Sequence, residues 1–224
     1  MALAMLPGLI ATESGAAENS EVPARVRVVK LLGEVRANLR DSRYTHATLV
    51  NEKVGRYEFD CSGMAAWVLR RVAPKAHGAV LWRSKGSRPL ARDYYSQIAA
   101  VPAGAPKNGW SRVERVSDTR PGDVIAWLRP KEVRSTNTGH VAFVVDAPRP
   151  TAEVPHGYLL RIADASQYQH EDDTRAETGK TGFGMGTILV VADPETDTPV
   201  AYGWVGVRSA WLLETRIAIG RVER

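Results

Sequence analysis

The sequence has a single cysteine, Cys61, among its 224 residues. One cysteine cannot form a disulfide within the chain, and it cannot provide the several thiolates of a cysteine-based structural zinc site. Long apolar runs are also lacking, since none reaches the roughly 18 residues that a membrane-spanning helix requires. No integral membrane segment is therefore predicted, and the 44% hydrophobic and 25% charged residues are typical of a globular domain.

Aromatic residues make up only 7% of the chain, and the 30 lysines and arginines are not gathered into a dense block. Because aromatic residues do not alternate with basic ones, the pattern does not favour nucleic acid as a partner. The formal net charge of +5 fits two interpretations. One is an ordinary solvated surface, and the other is attraction to an anionic partner such as an acidic wall polymer.

The first 22 residues show no periodic pattern and are predicted to form a disordered tail or the remnant of a secretory signal. Residues 2–10 are a short apolar stretch, and residues 14–17 are small, as at the end of such a signal. The charged segment that opens a secretory signal is missing, so both interpretations stay open. Residues 23–224 have a length that suits a single domain.

Apolar residues at helical spacing predict three helices in the first half of the chain. Their predicted bounds are Pro23 to about Asp41, Asp60 to Pro74, and about residues 89–100. Residues 43–59 are predicted to form a loop. The remainder of residues 75–118 is predicted to be an insertion made of connecting segments.

The second half of the chain changes to short β-rich segments separated by turn residues. The predicted strands are residues 124–128, 140–145, 158–165, 187–192, 200–205 and 217–222. No helix of convincing length interrupts them. This order predicts an α+β fold, in which N-terminal helices pack on a mostly antiparallel sheet of five to six strands.

Cys61 is predicted to lie in the first turn of the second helix. Unpaired backbone N–H groups and the helix dipole favour a negative charge there, so the position suits a reactive thiolate. Asp60 is placed to cap the helix, and the small Ser62 leaves room for a substrate. The alternative is a buried structural cysteine, because Cys61 also lies one helical turn before Met64 and near the apolar stripe.

His140 is the candidate base for this thiol. It follows Gly139 and begins an apolar strand, and a glycine there lets another segment approach the ring. Asp164 ends the next predicted strand, and antiparallel pairing of the two strands would place it opposite His140 to orient the imidazole. Both residues also fit ordinary roles, a surface histidine and a turn-forming aspartate. His170 is a rival for the third catalytic position.

Four short motifs, in this order, resemble the NlpC-type cell-wall peptidases, a branch of the papain-like superfamily. Phe59–Gly63 is similar to the nucleophile motif of that family, and Pro121–Ile125 is similar to the turn and strand that precede its histidine. Gly139–Val144 is similar to the histidine strand, and Asp164–Ser166 falls where the family carries its third, polar catalytic residue. An aspartate replaces the usual histidine or asparagine there, and a carboxylate can still accept the imidazole N–H.

The resemblance covers residues 44–166 and implies a papain-like fold. It implies that Cys61, His140 and Asp164 form a triad that cleaves an amide bond in peptidoglycan stem peptides, in the periplasm or outside the cell. The sequence itself leaves a cytoplasmic location open. Two other classes also stay open: a catalytically silent wall-binding module with the same fold, and a papain-like acyltransferase.

Four residues are predicted to contact the substrate: Tyr44, Ser62, Trp127 and Arg175. Tyr44 and Tyr57 are the two candidates for the tyrosine that precedes the cysteine in the resembling family. Arg175 suits a bidentate contact with a substrate carboxylate, although a surface ion pair with its acidic neighbours is the commoner use of such an arginine.

The glycine-rich segment Gly182–Gly186 precedes a strand and does not open a helix, so it does not fit a dinucleotide-binding loop. It is predicted to form a loop that rims the cleft. His156 and His170, with nearby carboxylates, lack the spacing of a standard metal site. No metal and no cofactor are therefore predicted.

Overall fold

The computed structural model describes residues 22–81 and 88–223. The predicted N-terminal tail, apart from the exposed Val22, lies outside these residues. Helices come first along the described chain and a large antiparallel sheet follows, which confirms the predicted α+β class.

Three of the helices lie where apolar periodicity predicts them. The helices are α1 (Ala24–Asn38), α2 (Cys61–Val72), α3 (Pro74–Ala79), α4 (Ala91–Ala99) and α5 (Arg175–Thr178). α1 ends at Asn38, earlier than predicted, because Asp41 already begins a strand. The sequence does not predict α3 and α5, since one or two helical turns are too short to show a periodic stripe. No helix in the described chain is both long enough and apolar enough to span a membrane.

A small sheet replaces the loop predicted for residues 43–59, so that prediction is wrong. Its strands are β1 (Asp41–Arg43), β2 (Leu49–Asn51) and β3 (Arg56–Glu58), with β3 in the middle. β3 runs parallel to β1 and antiparallel to β2. Each strand has three residues, which is too few for alternation between apolar and polar side chains to show in the sequence.

The large sheet contains nine strands, and every described pair in it is antiparallel. The strands are β4 (Trp110–Val113), β5 (Val124–Leu128), β6 (Gly139–Val144), β7 (Arg149–Thr151), β8 (Gly157–Ser166), β9 (Gly182–Ala192), β10 (Pro199–Gly203), β11 (Leu213–Glu214) and β12 (Ile217–Val222). Their order is β11-β10-β9-β8-β6-β5-β12-β4, with β7 paired to β8.

The predicted count of five to six strands is therefore too low. The three strands that were not predicted are β4, β7 and β11, and each has two to four residues. Each pairs with only one neighbour in the sheet, so each is an edge strand. Short edge strands of this kind leave little periodic signal in a sequence.

Alternate residues of the central strands pack into two separate cores. Val124 and Ala126 join the core under the helices, whereas Ile125 and Trp127 join a second core on the other face. Helices α1, α2 and α4 contact the sheet on the first face. This period-two partition follows from the pleat of a strand.

The large sheet curls, so that distant strands meet on the second face. Tyr202 of β10 packs against Trp127 of β5 with ring centroids 4.9 Å apart, although three strands separate them in the sheet. The same curl brings Trp204, which follows β10, to 5.1 Å from the ring centroid of His140.

Candidate active site

Cys61 is the first residue of α2, as predicted. Asp60 caps the helix, because its carboxylate accepts hydrogen bonds from the Gly63 N–H at 2.7 Å and from the Ser62 hydroxyl at 3.1 Å. Cys61 is 8% exposed and lines a cleft of about 200 Å³ together with His140. The free N–H groups and the dipole at this helix end favour a thiolate.

His140 lies at the start of β6, and Gly139 makes this position possible. Gly139 has a φ of +143°, and a Cβ there would overlap the backbone oxygen of Trp127 on β5. Only glycine combines this backbone conformation with so close an approach. The close approach predicted at this glycine is confirmed.

Asp164 reaches His140 from the neighbouring strand β8. β6 and β8 pair antiparallel, as predicted, with Phe143 opposite Ala163. Continuing that register places Asp164 opposite Ala142, so Asp164 and His140 are diagonal neighbours on one face. The His140 Nε2 lies 2.6 Å from the Asp164 Oδ2, which confirms their predicted contact.

The His140 ring is hydrogen-bonded to the carboxylate and lines the same cleft as the thiol. Burial lowers the pKa of His140, but the charge of Cys61 and hydrogen bonds with Asp164 and Cys61 outweigh burial and raise that pKa to about 10. Since Nε2 is bonded to Asp164, Nδ1 is the nitrogen left for the Cys61 sulfur. These groups favour the imidazolium form of His140 at neutral pH. A cationic imidazole near a thiol is the arrangement that activates a cysteine nucleophile.

Asp164 is 1% exposed and is surrounded by groups that stabilise its negative charge. Arg175 donates to Oδ1, while His140 and His170 lie 2.6 Å and 3.0 Å from Oδ2. Burial raises the pKa of Asp164, but Arg175, His170 and His140 hold it well below the usual range. Asp164 is therefore a carboxylate in the folded protein at neutral pH.

His170 lies on the other side of Asp164 and has no hydrogen bond to His140 among the described contacts. Its Nε2 faces the Asp164 carboxylate, and its Nδ1 donates to the backbone carbonyl of Trp204 at 3.0 Å. Its ring also packs on Trp204, with centroids 4.2 Å apart. Between the two rivals for the third position, this geometry favours Asp164, and His170 supports it.

Arg175 is 1% exposed, so its predicted contact with substrate is wrong. Its side chain donates to the carboxylates of Asp164 and Asp173 and to the carbonyl of Gly182 at 2.9 Å. Burial between two carboxylates explains why the arginine is unavailable to a ligand. It holds Asp164 in place instead.

The segment Gly182–Gly186 is the start of β9, so the prediction of a loop that rims the cleft is also wrong. A Cβ on Gly184 would lie 2.6 Å from the guanidinium of Arg175, and one on Gly186 would lie 2.7 Å from the side chain of His170. Alternate residues of a strand share one face. The alternating glycines thus make the space in which the two partners of Asp164 lie.

Tyr44 and Trp127, two of the predicted substrate contacts, each line a cleft together with His140. Trp127 is directly opposite His140 across β5 and β6, with ring centroids 4.9 Å apart. Tyr44 lines the same cleft as Cys61, and burial, followed by the nearby charges of Cys61 and Asp60, raises the pKa of its hydroxyl. The Tyr44 hydroxyl is therefore protonated at neutral pH and can donate a hydrogen bond.

Ser62, another predicted contact, lines the cleft with Cys61 but is already hydrogen-bonded. Its hydroxyl donates to Asp60 and accepts from Arg88 at 2.5 Å. Arg88 also donates to the Asp60 Oδ2 at 2.6 Å, and the His46 Nδ1 lies 2.9 Å from the same oxygen. Sequence reasoning missed Arg88 and His46, because both lie in irregular segments that carry no motif.

A larger cleft of about 520 Å³ begins at the His140 ring. It shares Tyr44 and His46 with the smaller cleft that contains Cys61. Aromatic side chains form one wall of it: Trp127, Tyr202 and Trp204. Among the described residues, no group of three or more histidine, cysteine, aspartate or glutamate side chains is arranged to hold a metal ion.

A scan against protein-family models finds no match to the chain. Searches of curated proteins and of solved structures find no match either. The geometry of the site and the short motifs around Cys61, His140 and Asp164 are therefore the features that indicate a function.

Proposed function

We propose that the chain is a papain-like cysteine hydrolase that cleaves an amide bond. Cys61 is the nucleophile, His140 the general acid and base, and Asp164 the residue that orients the imidazole. The observation that carries the proposal is a buried imidazole that is hydrogen-bonded to a carboxylate and lines one cleft with the only thiol. Burial lowers its pKa, but the charges of these two groups outweigh burial and raise the pKa of His140 to about 10.

The arrangement of elements also supports the papain-like part of the proposal. The thiol lies at the N-terminus of a helix, and the imidazole and carboxylate come from adjacent strands of an antiparallel sheet. The chain order of Cys61, His140 and Asp164 is that of the resembling family. The proposed catalytic residues thus come from two packed layers.

The proposed reaction proceeds through a thioester. The Cys61 thiolate attacks the amide carbon, and collapse of the tetrahedral intermediate breaks the C–N bond as the His140 imidazolium gives its proton to the leaving amine. Neutral His140 then takes a proton from water, which attacks the thioester and releases the carboxylic acid. Cys61 leaves as the thiolate and His140 is again the imidazolium, so the site returns to its starting state.

The oxyanion of each tetrahedral intermediate needs hydrogen-bond donors. The backbone N–H of Cys61 is suited to this role, because the first N–H groups of a helix have no partner within it. The protonated Tyr44 hydroxyl lines the same cleft and is a candidate second donor. Each such donor contributes about 3 kcal/mol to transition-state stabilisation.

We propose a stem peptide of peptidoglycan as the substrate. The resemblance of the four motifs to cell-wall peptidases supports this choice. The formal charge of +5 agrees with it, because a wall polymer rich in carboxylates attracts a basic protein.

Incubation of the full chain with purified peptidoglycan, followed by mass spectrometry of the released material, tests the proposal. The wild type should release peptides with new amine and carboxylate ends, and Cys61→Ala should release none. Cys61→Ser is the near-isosteric companion, and circular dichroism checks that each variant is folded. Identical products from wild type and Cys61→Ala would overturn the nucleophile assignment.

The same experiment separates the two alternative classes. An acyltransferase would give a product in which the acyl group is joined to an amine or hydroxyl of another molecule. A silent wall-binding module would sediment with peptidoglycan and release nothing. Either result would replace hydrolysis as the function.

A further inference from the structure

We infer that the larger cleft recognises a carboxylate on the amine side of the scissile bond, through Arg129 and Arg134. This inference deepens the proposed function and rests on it, because the amine side is assigned from the role of His140. It names the substrate class as amides whose leaving amine carries a free carboxylate.

The charge of the cleft is the first observation. Arg129 and Arg134 are exposed residues of the loop between β5 and β6, and both line the cleft. No aspartate or glutamate lines it among the described residues. A cleft whose permanent charges are all positive favours an anionic ligand.

The second observation is that both guanidinium groups are available. Within residues 22–81 and 88–223, neither Arg129 nor Arg134 has a side-chain hydrogen bond or an ion pair. In contrast, the half-buried Arg88 is bonded to Asp60, and the buried Arg175 is bonded to Asp164. Arginine forms planar, paired hydrogen bonds with carboxylates, so a free pair at a cleft suits that group.

The position of the cleft identifies the side of the substrate that it holds. His140 gives its proton to the leaving amine, so the amine must lie next to the imidazole. His140 lines both clefts, whereas Cys61 lines only the smaller one. The acyl group bonded to Cys61 therefore lies in the smaller cleft, and the amine extends toward the arginines.

The aromatic wall completes this subsite. Trp127, Tyr202 and Trp204 line the cleft together with His140. Aromatic faces exclude water from the bound amine segment and pack well against its aliphatic atoms. A short peptide segment with a terminal carboxylate matches both the aromatic wall and the basic rim.

A competition assay tests the inference. Soluble stem peptides with free carboxylates and the same peptides with carboxylates converted to amides are mixed, and mass spectrometry gives the ratio of their kcat/KM values. Wild type should prefer the free carboxylates by about ten-fold, the effect expected for a charged hydrogen bond at a solvent-exposed rim. The Arg129→Gln/Arg134→Gln variant should lose this preference.

The matched control is Arg40→Gln/Arg149→Gln, which removes the same charge from two exposed positions that do not line the cleft. It should keep the wild-type preference, which excludes a general effect of net charge. Equal rates for the two peptide sets in wild type, or an unchanged preference in Arg129→Gln/Arg134→Gln, would overturn the inference.

A binding measurement distinguishes failure of the inference from failure of the proposed function. In Cys61→Ala, tryptophan fluorescence reports binding of the same two peptide sets without cleavage, because Trp127 and Trp204 line the cleft. Free carboxylates should bind more tightly, and this preference should be lost in Arg129→Gln/Arg134→Gln. That result supports carboxylate recognition by the cleft even if hydrolysis is not found. Equal binding of both sets contradicts it even if Cys61-dependent hydrolysis is found.

Discussion

At the scale of single residues, Asp164 has more hydrogen-bond partners than it needs to orient the imidazole of His140. One oxygen is bonded by Arg175, and the other is shared between His140 and His170. Such a carboxylate keeps its charge and its direction while buried, which an isolated aspartate could not do. The cost of burying the charge is offset by its own set of donors.

Asp164→Asn tests whether this charge acts on the reaction. Asp164 raises the pKa of His140, so its neutralisation lowers that pKa. The imidazolium is then lost at lower pH, and the alkaline limb of the kcat/KM profile should move down from near pH 10. We expect kcat/KM to fall by about 100-fold, the lower range for loss of acid–base assistance.

Asp146→Asn is a suitable control for that measurement. It removes the same charge from an exposed position that lines neither cleft. Its profile should match the wild type. If Asp164→Asn retained the wild-type alkaline limb, Asp164 would not act through the charge state of His140.

The sequence predicts the three central residues because each carries a local signal. Cys61 follows a capping aspartate, His140 follows a glycine, and Asp164 ends a strand. The same reasoning mistakes Arg175 for a substrate contact, because nothing near it in the sequence indicates burial. Its partner Asp164 is brought to it by the pairing of β8 and β9, which spacing alone does not reveal.

At the scale of elements, β9 shows how a strand can support a polar cluster. Gly184 lies opposite Asp164 in the register of β8 and β9, and Gly186 is on the same face two residues later. The missing side chains leave room for Arg175 and His170 over the sheet. A strand normally loses packing at a glycine. Here the missing side chains let Arg175 and His170 lie close to the backbone of β9.

Gly184→Ala should therefore displace Arg175. Its Cβ would lie 2.6 Å from the guanidinium, and overpacking of this kind costs about 1–3 kcal/mol of unfolding free energy. We also expect a lower kcat/KM, because Asp164 loses a donor. Urea unfolding and the hydrolysis assay measure the two effects.

Gly33→Ala is the matched control, since a Cβ at this exposed position of α1 has no neighbour within 4 Å. Alanine in a helix is more favourable than glycine by about 0.5–1 kcal/mol, so this variant should be slightly more stable than wild type. Wild-type stability and activity in Gly184→Ala would contradict the packing argument.

The elements that the sequence predicts correctly are those long enough to show a period. α2, with its stripe of Met64 and Val68, and β12 fall where they are expected. The strands of two or three residues and the glycine-rich start of β9 are not predicted as strands. Their conformation is set by neighbouring strands, and not by their own side chains.

At the scale of the whole molecule, the three proposed catalytic residues come from two packed layers. Cys61 comes from a helix on the first face, while His140 and Asp164 come from the ends of two adjacent strands. The curl of the sheet then adds Tyr202 and Trp204 from β10 and beyond to the larger cleft. The layer order of helices and strands follows from the sequence, whereas the curl depends on contacts between strands far apart in the chain.

The pairing of Cys61 and His140 is the claim on which the account depends, and NMR titration of the His140 ring tests it most directly. In wild type the midpoint should lie near pH 10, because the thiolate and Asp164 together overcome burial. In Cys61→Ala the midpoint should be clearly lower, since burial then opposes Asp164 alone. The same midpoint in both proteins would show that no ion pair joins the thiol to the imidazole.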